Sequence, residues 1–211
     1  MAEFVIFTGF EPFGIPRPPT NPSWEAVKQL TGKKLEVKGQ DNSIKEIIFD
    51  TEEIPVEYGP ILNKVPEFHQ NTDKTYKYYI HVGLGRGHDH QIRIETLAHK
   101  KGYCKKDNVN QIPDRGVCPA YDIEEIKTDV DVKCLVEHLC NQKGWKEIYQ
   151  SDDAGRYLCE YTFYISLCEN IKKSNPGKVL FVHVPSENRP YSIDQLSQIL
   201  EDIGVWIAEN Y

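Results

Sequence analysis

Cys159 stands in the run SDDAGRYLCEYTFYISL (151–167), just after a turn of Asp, Asp, Ala and Gly. A strand-like segment, Lys146–Gln150, leads into that turn, and an apolar-periodic helix starts near Arg156. The cysteine therefore falls in the first turn of a helix. Unpaired backbone N–H groups and the positive end of the helix dipole converge there and favour an anion. The placement predicts a thiol biased towards thiolate, the form that attacks carbonyls. Further on, VLFVHVP (179–185) sets His183 at the end of a buried-looking strand. If the two lie on one edge of an open sheet, they form a nucleophile–base pair. The other reading of each residue is structural: a small buried thiol and a satisfied core histidine.

Two loops could complete a site. In TGFEPFGIPRPPTNPSW (8–24), Phe10 and Phe13 flank Glu11-Pro12, and Gly9 and Gly14 permit tight turning. The two phenylalanines either wall an apolar ligand pocket or cover the end of the sheet. In HVGLGRGHDHQIRIET (81–96), Gly83, Gly85 and Gly87 suggest a close backbone approach. That glycine series leads into an alternating strand, not a helix, and lacks a P-loop lysine, which argues against a phosphate cradle. His88-Asp89-His90 resembles a chelate, but no other ligand has helpful spacing, so a surface loop is expected and no metal. Glu95 lies within a strand between Ile94 and Leu97. It faces outward or is held by a partner; an imidazolium partner would make it the third member of a triad.

The elements that must position these residues alternate along the chain. Phe4–Thr8 is a continuous apolar run and reads as a buried strand. Asn21-Pro22 opens a helix to about Leu30, asparagine as N-cap and proline first within it. Strands follow at Ile44–Thr51, Tyr76–Val82 and Gln91–Leu97, with a helix at Tyr58–Gln70. Residues 98–128 are polar and rich in turn formers. Helix Val130–Gln142, strand 146–150, helix 156–172 and strand 178–184 come next, then a helix from Ser192 with Gln195 completing a capping box. This order predicts one α/β domain over 1–211, its sheet largely parallel with helices on both faces. Phe10–Phe13, Gly83–His90, Cys159 and His183 all follow strands, so the carboxyl edge of the sheet should gather them.

Composition excludes several classes. The chain has 211 residues and a net charge of −7 with mixed signs. Its main basic cluster, HKKGYCKK (99–106), reads as a solvated loop and not a nucleic-acid surface. No apolar run approaches the roughly 20 residues that span a bilayer, and MAEFVIFTGF reads as a first strand with no signal peptide. The six cysteines show no C-x-x-C spacing and suit a reducing cytosol.

In its motifs the chain resembles the pyroglutamyl peptidase I (pyrrolidone-carboxylate peptidase) family of cysteine peptidases. TGFEPFG (8–14) and NPSWEAV (21–27) are similar to its amino-terminal signature, IPVEY (54–58) and HVGLG (81–85) to its middle, and DAGRYLC (153–159) and FVHVP (181–185) to its catalytic segments. DAGRYLC and IETLAHKKGY (94–103) follow the animal pattern more than the bacterial one. The resemblance spans almost the entire chain. It implies a cytoplasmic, cofactor-free enzyme, often a single chain in animals, that removes an amino-terminal pyroglutamate from peptides. It implies a three-layer α/β/α sandwich around a mixed sheet. It assigns Cys159 as nucleophile, His183 as base and Glu95 as the orienting acid, with Phe10, Phe13 and Asn21 at the ring. Asn21 has a second reading as helix cap only. The chain departs from the family between Gly83 and Glu95, which holds one residue more than usual, with Leu84 where bacterial members commonly have glutamine. It also departs around 104–120. Three other readings stay open: a silent homologue that binds such peptides, a different cysteine amidase, and a nucleotide-binding domain.

Overall fold

Val5, Ile6 and Phe7 are apolar at consecutive positions, so their strand has to be covered on both faces. The computed structural model describes residues 2–85, 90–119, 121–186 and 189–211, and it shows that covering. In chain order the elements are β1 (Glu3–Phe10), α1 (Pro22–Val27) with a 3-10 turn at Lys28–Leu30, β2 (Lys34–Lys38), β3 (Ile44–Ile54), α2 (Tyr58–Gln70), β4 (Tyr76–Leu84), β5 (Ile92–Glu95), β6 (Leu97–His99), β7 (Glu125–Lys127), α3 (Val132–Asn141), β8 (Ile148–Ser151), α4 (Leu158–Ile171), β9 (Lys178–Val184) and α5 (Ile193–Asn210).

Seven strands form one sheet in the order β2-β3-β1-β4-β9-β5-β8. The centre is parallel: β1 with β3 and β4, and β4 with β9. β2 is antiparallel to β3, and β5 is antiparallel to β9 but parallel to β8. Alternation along the strands divides the core in two. Val5, Phe7, Ile80, Val82 and Val182 pack under α1, α3 and α5. Ile6, Tyr79, Val179 and Phe181 pack under α2 and α4. The result is the three-layer α/β/α sandwich with a mixed, largely parallel sheet that the motifs implied.

Helix ends follow their capping chemistry. Asn21 accepts a hydrogen bond from Ser23 N at 3.0 Å and starts α1. Ser192 and Gln195 form a complete capping box at the start of α5. The turn-rich stretch after β6 is a clasp. The antiparallel β6–β7 pair packs on α4, Asp107 accepts the Tyr58 N–H at the start of α2 (3.1 Å), and Asn108 donates to Glu11 Oε1 (2.8 Å) and Pro12 O (3.2 Å) in the first loop.

One expectation is corrected. β8 runs opposite to the central strands, because β5 reverses against β9. Cys159 therefore does not leave a strand at the carboxyl edge. The turn after Ser151 carries it back over the sheet face.

Candidate active site

α4 begins at Leu158 with Tyr157 as N-cap and no side-chain cap. Its first ladder bond runs from Tyr161 N to Tyr157 O at 3.0 Å. The amides of Leu158, Cys159 and Glu160 thus precede the ladder and point out of the helix end. Cys159 sits among them, one position later than the helix start and over β4. A Cβ on Gly83 would lie 2.7 Å from its sulfur and 2.9 Å from Phe181 Cζ. Only a glycine lets the thiol rest against the sheet there.

His183 shares this face. In the β4–β9 register Gly83 pairs with His183. Across β9 and β5, Arg93 pairs with His183 and Glu95 with Phe181. His183 Nδ1 lies 2.8 Å from Glu95 Oε1, with His183 6% and Glu95 0% exposed. A carboxylate only accepts, so Nδ1 bears the proton of this contact, and in the neutral ring Nε2 holds the lone pair. Cys159 and His183 line one cavity of about 280 Å³ with Phe13, Leu84, Arg93 and Tyr157. Sulfur, imidazole and acid, remote in sequence, are assembled.

The thiol does not behave as the sequence predicts. Burial, and after it the charge of Glu95, push Cys159 up to about 12. Desolvation exceeds the influence of the helix N-terminus. The resting sulfur is a protonated thiol that needs a base.

The aromatic positions divide. Phe13 lines the cavity, its ring 6.1 Å from that of Tyr157 at 54°. Phe10 is 2% exposed and packs 6.5 Å from the Phe181 ring, behind the wall. Asn21 is buried with both ends engaged: Oδ1 accepts from Ser23 N and Oγ, and Nδ2 donates to Glu11 O at 3.0 Å. It fixes the loop that carries Phe13 and is not part of the cavity lining. Gly87, His88 and Asp89 lie outside the described residues, so the chelate and cradle readings of that loop do too.

Sequence reasoning missed Tyr157, Arg93 and Arg156, which also line the cavity. The spacing of Arg156 and Glu160, one helical turn apart, could have flagged an ion pair. A larger cavity of about 580 Å³ lies beyond Tyr58, but no histidine or cysteine lines it, so the chemistry is not there. All six cysteines are free. Among the described residues no group of three or more potential ligands is arranged to hold a metal ion.

The model of the family described as pyroglutamyl peptidase matches residues 3–196. The chain belongs to that family. It is 33% identical to human (Homo sapiens) pyroglutamyl-peptidase 1 over 94% of this chain and 87% of the relative. It is 31% identical to the pyrrolidone-carboxylate peptidase of Pyrococcus furiosus, covering 86% of this chain and 80% of that one. The solved structure of Bacillus amyloliquefaciens pyroglutamyl peptidase I superposes with a TM-score of 0.80 at 25% identity, over 99% of this chain and 98% of the other. Membership in the pyroglutamyl peptidase family makes the protein a peptidase. Among the described residues no helix is long and apolar enough to cross a membrane.

Proposed function

We propose that this peptidase is a cysteine exopeptidase that cleaves the amide bond after an amino-terminal pyroglutamyl residue. The observation that carries the reading is the buried 2.8 Å contact of His183 and Glu95 beside Cys159 in one cavity. His183 Nε2 takes the thiol proton as Cys159 Sγ attacks the pyroglutamyl carbonyl carbon. The oxyanion faces the free amides at the start of α4, the Cys159 N–H first among them; losing one such donor typically costs about 100- to 1,000-fold in rate. The intermediate collapses as His183 gives its proton to the leaving amine, leaving a thioester. Water then loses a proton to His183, attacks the thioester and restores the thiol. Glu95 holds the imidazole by Nδ1 and balances its charge while it is protonated.

Recognition follows from the walls. The flat lactam lies between Phe13 and Tyr157. Phe10 and Asn21 contribute from behind by holding the loop that presents Phe13. The lactam has no ammonium group to desolvate, and its N–H and C=O meet backbone partners. Proline lacks the carbonyl and leaves a buried donor unpaired, a loss that can reach about 10⁴-fold. A single chain over residues 1–211 is the working unit in this reading.

A second reading, a protein that binds pyroglutamyl peptides without cutting them, has one observation in its favour: the thiol raised to about 12. Amide substrates bearing pyroglutamyl, prolyl and glutamyl groups separate the cases. Turnover of the pyroglutamyl amide alone is expected. Equal rates on all three would point to a general amidase, and stoichiometric binding without product to the silent protein.

A further inference from the structure

Glu160 follows the nucleophile directly and is completely buried, held by an imidazole and a guanidinium. His99 Nδ1 lies 2.8 Å from its Oε1. Arg156 Nη1 donates to both of its oxygens at 2.9 Å. An ion pair so enclosed is a weak source of stability, because desolvating its charges offsets their attraction. It is a strong means of fixing a side chain. The stem of Arg156 is fixed as well: it lies over Gly102, where a Cβ would come within 3.1 Å of Arg156 Cδ and 3.3 Å of Nε. Gly102 has φ +105°, a conformation suited to glycine. Arg156 is therefore a partly exposed guanidinium whose rotamer is set by two neighbours, and it lines the cavity that holds Cys159 and His183. Among the described residues the other acid paired with it is Asp153, 3.5 Å from the same Nη1. These bonds use one nitrogen. Nη2 and Nε are not used by them.

We propose that Arg156 is a peptide-positioning residue, whose remaining donors bind a backbone carbonyl on the leaving side of the scissile bond and so favour peptides over small amides. The inference rests on the exopeptidase reading. Fixing the guanidinium in advance removes the side-chain ordering that a free arginine would undergo on binding. An aryl amide ends at the leaving amine and has no carbonyl to offer, whereas a peptide has one in its next residue. The contact is made before and during reaction, so it acts chiefly through KM.

The test compares kcat/KM for a pyroglutamyl aryl amide and for pyroglutamyl-alanyl-alanine amide in wild type, Arg156→Ala, Arg156→Lys and Glu160→Gln. The ratio of peptide to aryl amide should fall about tenfold in Arg156→Ala, the worth of a hydrogen bond to a charged group, with the loss mainly in KM. Arg156→Lys should recover part of it. Glu160→Gln, which frees the guanidinium, should lower the ratio less. A general weakening of the fold slows both substrates and leaves the ratio alone. An unchanged ratio in Arg156→Ala, or in Glu160→Gln and Arg156→Lys should Arg156→Ala not fold, overturns the proposal. Wild type that turns over neither substrate defeats the exopeptidase reading instead.

Discussion

At the residue scale, the site is a cooperating pair with an anchor. In the proposed reaction the attack of Cys159 depends on His183, so the two substitutions should not add. Cys159→Ala and His183→Ala should each remove measurable release from a pyroglutamyl amide, and the double variant should be no worse than either. Steady-state rates on all three proteins check this. Glu95→Gln, which leaves sulfur and imidazole in place, should slow turnover by about 100-fold, within the range of general acid–base effects. Cys159, His183 and Glu95 were legible in the sequence because each sits in a short motif whose register survives the whole chain. The ionisation of the thiol was not: the helix start is visible in DAGRYLC, but the burial that outweighs it is made by Gly83 and Phe181 from other strands. Asn21 was legible as a cap for the opposite reason, since all that fixes it lies within two residues on one side and Glu11 on the other.

At the scale of elements, close approach sets the geometry. Gly83 on β4 leaves the space that the Cys159 sulfur fills, and an added methyl must push the thiol or the Phe181 ring aside. Gly83→Ala should lower kcat by about 100-fold, the cost of a displacement near 1 Å, while far-UV circular dichroism stays native. Normal kcat in that variant would mean that the sulfur does not work from this position. Most elements could be read from their patterns: α2 has the bounds its apolar spacing gives, and α5 starts where the capping box places it. β2 was missed because KLEVK is a mostly exposed edge strand with a single buried residue, Val37. The reversal of β5 and β8 was missed for a different reason. Strand direction depends on which neighbour is paired, and no local pattern carries that information.

For the whole molecule, two buried histidines between the sheet and α2 and α4 contribute to how stability depends on pH. His69 stacks on Tyr79 at 3.8 Å and meets Ser166 Oγ at 2.8 Å. His81 meets Thr8 Oγ1 at 2.8 Å. Burial lowers His69 to about 2 and His81 to about 3. Both are neutral in the fold, while an unfolded chain protonates them below about 6.5. Unfolding then takes up protons, so the stability they contribute is full above pH 6.5 and is lost as pH falls. The loss approaches about 1.4 kcal/mol per pH unit for each histidine. Urea unfolding of wild type and His81→Gln at pH 7, 6 and 5 isolates one of these contributions: the loss of stability on acidification should be smaller in the variant by up to one proton's worth of slope. One sheet covered on both faces should also melt in a single transition, followed by both near- and far-UV signals. The layered architecture was legible from the alternation of strands and helices. The clasp formed after β6 was not, because its anchors, Asp107 and Asn108, act through side-chain bonds to residues distant in sequence.

The most direct test of the central claim is release of the free amine from a pyroglutamyl amide by wild type and by Cys159→Ala, with the fold of both verified. Sustained turnover by the first and none by the second is the predicted result. Equal turnover by the two would contradict it, because the bond would then be broken without the sulfur that His183 and Glu95 are placed to serve.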